Sequence, residues 1–530
     1  MRIHSPLHPF LLCLYLVLRL VAGNLDETSL DEAWRALVAL PLFAALLLVG
    51  LRPLVGSYSV AGLVVSALLL LMFSFEAAWD ALVNLDLGWG QNVIFWVLVG
   101  TILLLMFAIS TLILRNKTRS IRIVPMLNVM TAVLLLFPVT EMALYVIRSD
   151  GQLLTGDSRN ASPSSQSAKP IPLDPGGEPL RDIYFIVLDG YARADVLHEV
   201  YGHDNSGFVA ALRERGFYVA ERSASNYIST KLVLPSMLNL RYLDYLVRRY
   251  GKKYRNVMPL YRNIRRNRVV SWLRSAGYRI VNIRSVIDYT ALADPDEMIV
   301  WHGAQPGLND FESALLGMTP LLKLVDRARA EGKTSPGSIW RQKILFALEE
   351  LARQGGRPGP KFVYAHIMSP HDPFVFGPNG EERFIQMRLF ETYGEEQTNA
   401  LSRGYGDQVQ YLNGRLLEAL DRILKKSQRA PIIVMMGDHG LRLQLRPLAR
   451  DTCLQESFAI LNTLYLPDRD VPWLRDTISP VNTFRTIFDA YFSAGMGQLP
   501  DRHFFAHRRG YYNHVEVTDV VETCLPGVER

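Results

Sequence analysis

Three segments that lie far apart in the sequence each lead from an apolar run into acidic or histidine residues. They are 183–188 followed by Asp189, 361–368 followed by Ser369-Pro370-His371-Asp372, and 431–436 followed by Gly437-Asp438-His439-Gly440. Short apolar runs of this kind are typical of buried strands, and ligands bind beyond the carboxyl ends of parallel strands in an open α/β sheet. Three strands that end in this way therefore predict one shared, metal-centred active site.

The elements that would position these residues follow residue 181, where short apolar runs alternate with amphipathic stretches. Strands are predicted at 183–188, 278–283, 362–367 and 431–436. Helices are predicted at 206–215, 258–276, 340–354 and 404–426. This alternation favours a mostly parallel sheet that is covered by helices on both faces.

The first 147 residues have a different character, with five apolar stretches at about 9–23, 34–51, 57–75, 92–114 and 123–147. Several of them reach the roughly 20 residues that cross a hydrocarbon core, so the sequence predicts an all-α membrane bundle of five helices. The first stretch is short and could instead be a signal peptide. For the other stretches the alternative is a set of buried helices in a soluble core, which the near-continuous apolarity disfavours because it leaves no wet face.

The charges of the connections predict an orientation for this bundle. Residues 115–122 contain four basic residues and no acid, which places this connection in the cytoplasm, whereas the connections 24–33 and 76–91 are acidic. With five crossings, the chain after residue 148 lies outside the cytoplasm, and cleavage of the first stretch would not change that orientation. Residues 148–180 are rich in Ser, Pro and Gly and are predicted to be a flexible linker between a membrane domain at 1–147 and a second domain at 181–530.

The overall composition narrows the class of protein. The chain has 530 residues, of which 49% are hydrophobic, and a net charge of +6. No Lys/Arg cluster is interleaved with aromatic residues in a way that indicates nucleic-acid binding, so proximity to an anionic membrane surface is the simpler explanation of the charge. The Tyr/Arg-rich stretch 240–265 is interpreted as a solvated helix face, with contact to an anionic lipid or glycan as the alternative. Three cysteines are too few for a disulfide scaffold. Cys453 and Cys524 could pair in an oxidising compartment or could remain free core thiols.

Four sequence elements occur in a fixed order: Leu188-Asp189-Gly190, Thr230 with Pro235 five residues later, Ser369-Pro370-His371, and Gly437-Asp438-His439-Gly440. Together they resemble the sulfatase-like branch of the alkaline phosphatase superfamily. Five predicted spans followed by such a domain are similar to the lipoteichoic acid synthases and the lipid A phosphoethanolamine transferases. The resemblance implies an α/β sulfatase/alkaline-phosphatase-like fold for 181–530. It also implies a location in the bacterial inner (cytoplasmic) membrane, with that domain on the periplasmic side.

The resemblance further implies roles for individual residues. The family's metal ligands fall on Asp189, Thr230, Asp438 and His439. Three oxygen donors and one imidazole suit Zn²⁺ or Mn²⁺. Thr230 is the expected nucleophile because a helix-like run follows it and anions bind at helix N-termini, with Ser229 as the local competitor. His371 is expected to hold the phosphate or to protonate the leaving oxygen.

Two features depart from the family. The transferases usually carry another histidine shortly after the Asp-His-Gly motif, whereas this chain has Arg442, Arg446 and Arg450 there, so an arginine is expected to contact the phosphate. The sulfatase signature Cys/Ser-x-Pro-x-Arg, whose first residue becomes formylglycine, is absent from the sequence, which argues against sulfate-ester hydrolysis. A second metal site could form from His371 with His503, His507 or His514.

These observations predict a metal-dependent transferase that moves a phospho-head group from a membrane phospholipid to an extracytoplasmic glycan or lipid acceptor. The group would pass through a phospho-threonine at Thr230. Two alternatives stay open: a sulfatase-like hydrolase or phosphodiesterase of the same fold that passes the group to water, and an inactive scaffold for envelope assembly. The intact set of four expected metal ligands disfavours the scaffold.

Overall fold

The structure is a computed structural model of the chain, and it describes residues 5–25, 30–85, 89–148, 176–301, 308–330, 336–387, 392–507 and 510–524. Its contacts divide the chain into two compact units. One unit consists of residues 1–160 with 305–333, and the other of residues 161–304 with 334–530. Most of the predicted linker at 148–180 lies outside the described residues, so the predicted domain boundaries stay predictions.

The described part of the first unit is helical. Its first seven helices are α1 (His8–Gly23), α2 (Leu30–Val55), α3 (Tyr58–Phe73), α4 (Phe75–Asn84), α5 (Gln91–Arg115), α6 (Lys117–Arg122) and α7 (Val124–Arg148). The later segment of this unit adds the helices Asp310–Gly317 and Pro320–Ala330.

Four helical stretches are long and apolar enough to cross a membrane: Glu32–Val55, Tyr58–Leu82, Asn92–Arg115 and Val124–Tyr145. Helix α1 is apolar but has only 16 residues, which is shorter than a usual span. Large apolar side chains of α5 and α7, such as Leu104, Phe107 and Phe137, are exposed, whereas the core of a water-soluble protein would bury them. Four apolar membrane-spanning helices are thus supported, and the fifth crossing stays a prediction.

Residues 305–333 fall inside the predicted 181–530 domain, but their described helices pack in the helical unit. Phe311 and Leu315 join a buried apolar cluster with side chains of α1 and α2. Two ion pairs also join this segment to the helical unit: Glu312 to Arg35 of α2 at 2.7 Å, and Lys323 to Glu76 of α4 at 2.6 Å. This segment therefore interrupts the α/β unit in sequence and belongs to the other unit in space.

The second unit is built on β-strands and helices in alternation. Its strands are β1 (Ile183–Leu188), β2 (Tyr218–Val219), β3 (Arg279–Ile283), β4 (Glu297–Ile299), β5 (Lys361–Ile367), β6 (Phe374–Phe376), β7 (Glu382–Ile385), β8 (Ile432–Gly437), β9 (Asn462–Tyr465), β10 (Phe504–Phe505) and β11 (Val515–Glu516). Seven of them form one sheet in the order β2-β9-β8-β1-β5-β3-β4. The five strands from β8 to β4 are parallel, and β9 and β2 form an antiparallel edge. The predicted mostly parallel sheet is confirmed.

Helices cover both faces of this sheet, and the alternation of side chains along β1 shows why. Tyr184, Ile186 and Leu188 belong to one apolar cluster, whereas the intervening residues of the same strand belong to another. Successive side chains of a strand point to opposite faces, so a fully apolar strand needs a cover on each side. The helices of this unit are Ala194–Tyr201, Ser206–Glu214, Thr230–Leu238, Asp244–Tyr250, Met258–Arg265, Arg268–Ser275, Pro336–Arg353, Glu395–Lys426, Leu454–Phe458 and Pro480–Phe492.

The four predicted strands are all present, with bounds that differ by at most one residue from those expected. The single helix predicted at 258–276 is wrong, because two helices are found there. The second begins after Asn267, whose side chain accepts a hydrogen bond from the Val270 N–H at 2.8 Å and so caps a new helix. Cys453 and Cys524 form a disulfide bond, and Cys13 is free and buried.

Candidate active site

Strand register brings the predicted site residues to one edge of the sheet. Leu188 at the end of β1 pairs with Ile367 of β5 on one side and with Gly437 of β8 on the other. The residues that follow these strand ends, Asp189 and Asp438 among them, therefore lie side by side. Backbone bonds continue the pairing beyond the strands, since His371 N–H donates to the Asp189 carbonyl oxygen at 2.8 Å.

The two glycines that flank Asp438-His439 are required by the packing of the turn. A Cβ atom on Gly437 would lie 2.2 Å from the carbonyl oxygen of Tyr191, and one on Gly440 would lie 1.8 Å from that of Glu456. Both distances are far below van der Waals contact with a backbone atom that cannot move aside. The Gly-Asp-His-Gly sequence is thus a tightly packed turn that fixes the positions of two functional side chains.

Among the described residues, one group of three potential metal ligands has its ligand atoms within 4.8 Å of one another: Asp189, Asp438 and His439. All three side chains are buried. Asp438 Oδ1 accepts the N–H groups of Gly190 at 3.1 Å and His439 at 3.0 Å, which leaves its Oδ2 as a buried oxygen without a hydrogen-bond partner. Asp189 Oδ1 is buried and unsatisfied in the same way.

The spacing of these atoms fits a divalent cation. His439 Nδ1 lies 2.8 Å from the Gly440 carbonyl oxygen, which directs Nε2 to a point 3.5 Å from both Asp189 Oδ1 and Asp438 Oδ2. Metal–ligand bonds of about 2.1 Å in a tetrahedral arrangement require ligand atoms to be about 3.4 Å apart. Unpartnered buried carboxylate oxygens at this spacing are the expected state of a divalent metal site.

Thr230 supplies a fourth potential ligand atom, the third oxygen of the group, at the same spacing. Its Oγ1 lies 3.3 Å from His439 Nε2 and 3.5 Å from Asp189 Oδ2. Thr230 is buried and is the first residue of the helix Thr230–Leu238, while Ser229 is the extended residue before it, whose carbonyl oxygen accepts the first helical N–H groups. The hydroxyl that reaches the predicted metal ligands therefore belongs to Thr230, at a helix N-terminus that favours anions.

His371 lies at the open side of this group. Its Nδ1 is 2.7 Å from the carbonyl oxygen of Asp372 and 3.3 Å from the Asp372 carboxylate, so Nε2 faces the site at 4.0 Å from Asp189 Oδ1. Burial would lower the pKa of His371, but the charges of Asp189 and Asp372 outweigh burial and raise the pKa above its ordinary value. The imidazole is thus held in one orientation by Asp372.

The surroundings lower the pKa of Asp189 and that of His439, for different reasons. Burial would raise the pKa of Asp189, but His371, His366 and His439 hold it well below its usual range. Burial lowers the pKa of His439 to about 4, and the nearby charge of Arg442 acts in the same direction. Metal ligands must be a carboxylate and a neutral imidazole, and these shifts favour both forms at neutral pH.

His366 was missed in the sequence, where it is one polar residue inside the apolar strand β5. Its Nε2 lies 3.3 Å from Asp189 Oδ2 and its Nδ1 lies 3.1 Å from Ser285 Oγ. It therefore contacts the carboxylate of a predicted metal ligand and helps to fix its orientation. The one signal in the sequence is a histidine near the end of a buried strand that neighbours the Asp189 strand.

Lys231 follows the predicted nucleophile and was also missed. Its ammonium nitrogen lies 5.5 Å from the ring centre of Tyr261, 5.4 Å from that of Tyr289 and 5.5 Å from that of Tyr511. Such distances are typical of cation–π interactions. Burial raises the pKa of Tyr289 well above its ordinary value, and the charges of Asp189 and Asp438 add to that shift.

The three arginines after the Asp-His-Gly motif have different surroundings. Arg442 is buried and its Nη2 lies 3.4 Å from His371 Nε2, inside the site. Arg446 donates to the carbonyl oxygen of Leu445, and Arg450 is largely exposed, with an ion pair to its neighbour Asp451. Of the three candidates for a phosphate contact, the structure therefore brings Arg442 to the site.

The histidines considered for a second metal site make other contacts. His503 Nδ1 lies 2.8 Å from the Ser225 carbonyl oxygen, and His514 Nε2 lies 2.8 Å from that of Tyr511. Within the described part of the chain, no group of three His, Cys, Asp or Glu ligands includes His503, His507 or His514. A second site built on His371 and these residues receives no support from their surroundings.

A comparison with the sequence profiles of protein families identifies one family that this chain matches. The profile of the sulfatase family matches residues 181–491, which is more than half of the chain. This chain belongs to the sulfatase family. The match begins directly after the predicted linker and contains all seven strands of the main sheet, the Thr230 helix and the Asp438-His439 turn, so this sulfatase-family protein is an enzyme of that kind.

Solved structures that match this chain include phosphoethanolamine transferases. The zinc complex of the C-terminal periplasmic domain of EcEptC from Escherichia coli has 11% identity and a TM-score of 0.45, covering 66% of this chain and 95% of that chain. The corresponding domain of EptC from Campylobacter jejuni has 12% identity and a TM-score of 0.36, covering 60% and 92%. The integral membrane protein EptA from Neisseria meningitidis has 13% identity and a TM-score of 0.37, covering 92% and 94%. No curated protein matches this sulfatase-family chain in sequence.

Proposed function

We propose that the protein is a metal-dependent transferase that moves a phospho-head group from a membrane phospholipid to an extracytoplasmic glycan or lipid acceptor. One observation carries the proposal: a buried threonine hydroxyl lies 3.3 Å from His439 Nε2 and 3.5 Å from Asp189 Oδ2, at the first residue of a helix. A threonine at this point has no structural need for burial among carboxylates, whereas a nucleophile does need activation there.

The chain's own residues account for the two halves of the reaction. A divalent cation, Zn²⁺ or Mn²⁺, held by Asp189, Asp438 and His439 would lower the pKa of the Thr230 hydroxyl and neutralise charge on the phosphoryl oxygens. Thr230 Oγ1 forms a bond to phosphorus as the bond from phosphorus to the diacylglycerol oxygen breaks. His371 Nε2 delivers a proton to that oxygen, and the proton of the Thr230 hydroxyl passes to solvent water, so one proton enters the product and one leaves the nucleophile.

The second half reverses these roles at a different oxygen. An acceptor hydroxyl attacks the phosphorus of the phospho-threonine, the bond to Thr230 Oγ1 breaks, and Thr230 regains its proton from solvent water. His371 removes the proton of the incoming hydroxyl because its orientation, fixed by Asp372, is unchanged between the steps. No nucleotide is consumed, which suits a compartment that lacks ATP.

A lipid donor agrees with the helical unit of the same chain. We propose that α1 crosses the membrane together with the four longer helices, because its buried face packs against α7 and α2 as part of the bundle core. Five crossings and a cytoplasmic 115–122 connection put the α/β unit outside the cytoplasm. The location that follows is the bacterial inner membrane with a periplasmic catalytic domain, and the Cys453–Cys524 disulfide agrees with an oxidising compartment.

The test of the proposal is release of diacylglycerol from vesicles of a bacterial phospholipid extract by the purified full-length protein. Thr230→Ala is expected to abolish release, while Ser229→Ala, which removes the neighbouring hydroxyl, is expected to leave it within about twofold of the wild-type rate. Release that survives in the Thr230→Ala protein would contradict the proposal. If free head-group phosphate accumulates without any acceptor product, the enzyme is a hydrolase of the same fold.

A further inference from the structure

Arg442 is a buried arginine whose charge has no acidic partner. The residue is 8% exposed, and the ion pairs found among the described residues do not include it. Arg193, which is equally buried, has two such partners, Asp195 at 2.7 Å and Glu522 at 2.8 Å. Since a buried guanidinium is normally paired, Arg442 is in a state that calls for an anion from outside the chain.

The hydrogen-bonding groups of Arg442 are only partly used. Nη1 donates to the Ile228 carbonyl oxygen at 2.9 Å, and Nη2 lies 3.4 Å from His371 Nε2, which is a long contact. The Nε–H is buried and has no hydrogen-bond partner. Nη1 of Arg442 is therefore bonded to the backbone two residues before Thr230, and the remaining N–H donors of the guanidinium can bind a ligand.

The backbone holds this side chain in place at some cost. Arg442 has φ of 68°, in the left-handed region that residues other than glycine rarely adopt. Glu456, which is fully buried, accepts the next two backbone N–H groups, that of Leu443 at 2.7 Å and that of Gln444 at 2.9 Å, and also the hydroxyl of Tyr201. A strained residue that is locked by a buried carboxylate is expected where position matters for function.

We propose that Arg442 is an anion-binding residue of the active site, which takes the oxygens of the tetrahedral phosphoryl group that do not face the metal ligands. His371 Nε2 lies between the two parts of the site, 3.4 Å from Arg442 Nη2 and 4.0 Å from Asp189 Oδ1. A guanidinium can donate two parallel N–H groups to such a group, which a histidine cannot. The ligand chemistry is that of a tetrahedral oxyanion, and its identity as a phospholipid phosphodiester rests on the proposed function.

The test is binding of inorganic phosphate to the purified full-length protein that carries its metal, measured by titration calorimetry. Arg442→Gln is expected to weaken binding about 10- to 100-fold, the effect of losing hydrogen bonds to a charged group. Metal content is expected to stay at the wild-type level, because Arg442 is not a ligand. Arg450→Gln, an exposed arginine of the same loop, is the matched control and is expected to bind like wild type.

Three outcomes would overturn the proposal: phosphate binding by Arg442→Gln within twofold of wild type, equal weakening in the Arg450→Gln control, or loss of metal together with binding. If Arg442→Gln does not fold, the same titration is made on Arg442→Lys, which keeps the charge but not the two parallel donors. Wild-type affinity for phosphate in Arg442→Lys would overturn the proposal. The result also separates the two proposals. Phosphate binding that depends on Arg442 without any release of diacylglycerol would reject the lipid donor and leave the anion site standing.

Discussion

Replacing one metal-ligand carboxylate by an amide should stabilise the metal-free protein and remove the stabilisation that metal binding gives to wild type. In Asp438→Asn, Oδ1 can still accept the N–H groups of Gly190 and His439, and the amide nitrogen replaces an oxygen that has no hydrogen-bond partner. The shape of the turn is therefore kept. What changes is the charge, because Asp438 and Asp189 place ligand oxygens within 4.8 Å of each other in a buried site.

The size of the effect follows from that distance. At 4.8 Å and an effective dielectric constant of about 20, two unit charges repel by about 3.5 kcal/mol. Asp189 keeps its charge at neutral pH because nearby imidazoles hold its pKa well below its usual range, so the repulsion is present in the metal-free protein. Asp438→Asn should therefore raise the stability of metal-free protein by up to about 3 kcal/mol. In the presence of metal at 100 times its dissociation constant, wild type should gain about 2.7 kcal/mol that the variant lacks.

The assay is thermal unfolding of the detergent-solubilised protein in a chelator and in Zn²⁺, with metal content measured in parallel. Asp451→Asn, which removes an exposed carboxylate, is the control and should differ from wild type by less than about 0.5 kcal/mol in either buffer. A variant that is less stable than wild type in the chelator, or that retains a full complement of metal, would refute the assignment of Asp438 as a ligand in a like-charged pair.

Three other predictions concern the fold around the site. Gly440→Ala should destabilise the protein by about 3 kcal/mol or more, because its Cβ would lie 1.8 Å from the Glu456 carbonyl oxygen. Gly414 has open space around it in a helix, so Gly414→Ala should be neutral or stabilising. Equal melting temperatures for the two variants would refute this packing argument. Burial would raise the pKa of Asp195, but its hydrogen bonds to Arg193 hold the pKa below the ordinary value. Its stabilising effect is therefore present above the unfolded pKa of about 3.9 and is lost as pH falls through the folded value, so Asp195→Asn should flatten stability in acid; parallel pH curves for both proteins would speak against it. Cys453→Ser, which opens a loop of 71 residues, should lower the free energy of unfolding by up to about 4 kcal/mol. Wild type under reducing conditions should lose the same amount. Unchanged stability in both measurements would show that the disulfide does not form.

Local sequence patterns were sufficient for the parts of the site that end a strand. The runs before Asp189 and Asp438 are apolar throughout because both faces of a central parallel strand are buried, and the break in apolarity marks the strand end. Parallel pairing then aligns strand ends whatever their separation in sequence. The resemblance to a family identified Thr230, since nothing in the local pattern separates a threonine at a helix start from an ordinary capping residue.

Other features depend on contacts that no local pattern contains. His366 has the sequence surroundings of any polar residue in a buried strand, and its importance arises from its neighbour Asp189 on the next strand. The left-handed backbone of Arg442 depends on Glu456, which follows it by 14 residues and is itself buried. The packing of the helices Asp310–Gly317 and Pro320–Ala330 against helices of the N-terminal part depends on partners such as Arg35 and Glu76, which are far away in sequence.

The central claim, that Thr230 carries the transferred group, is tested most directly by mass spectrometry of the intact protein after incubation with a bacterial phospholipid extract and rapid acid quenching. The account predicts a mass increase on wild type and on Ser229→Ala equal to that of one phospho-head group, located at Thr230 by peptide mapping, and none on Thr230→Ala. An adduct on Thr230→Ala, or on any residue other than Thr230 in wild type, would contradict it.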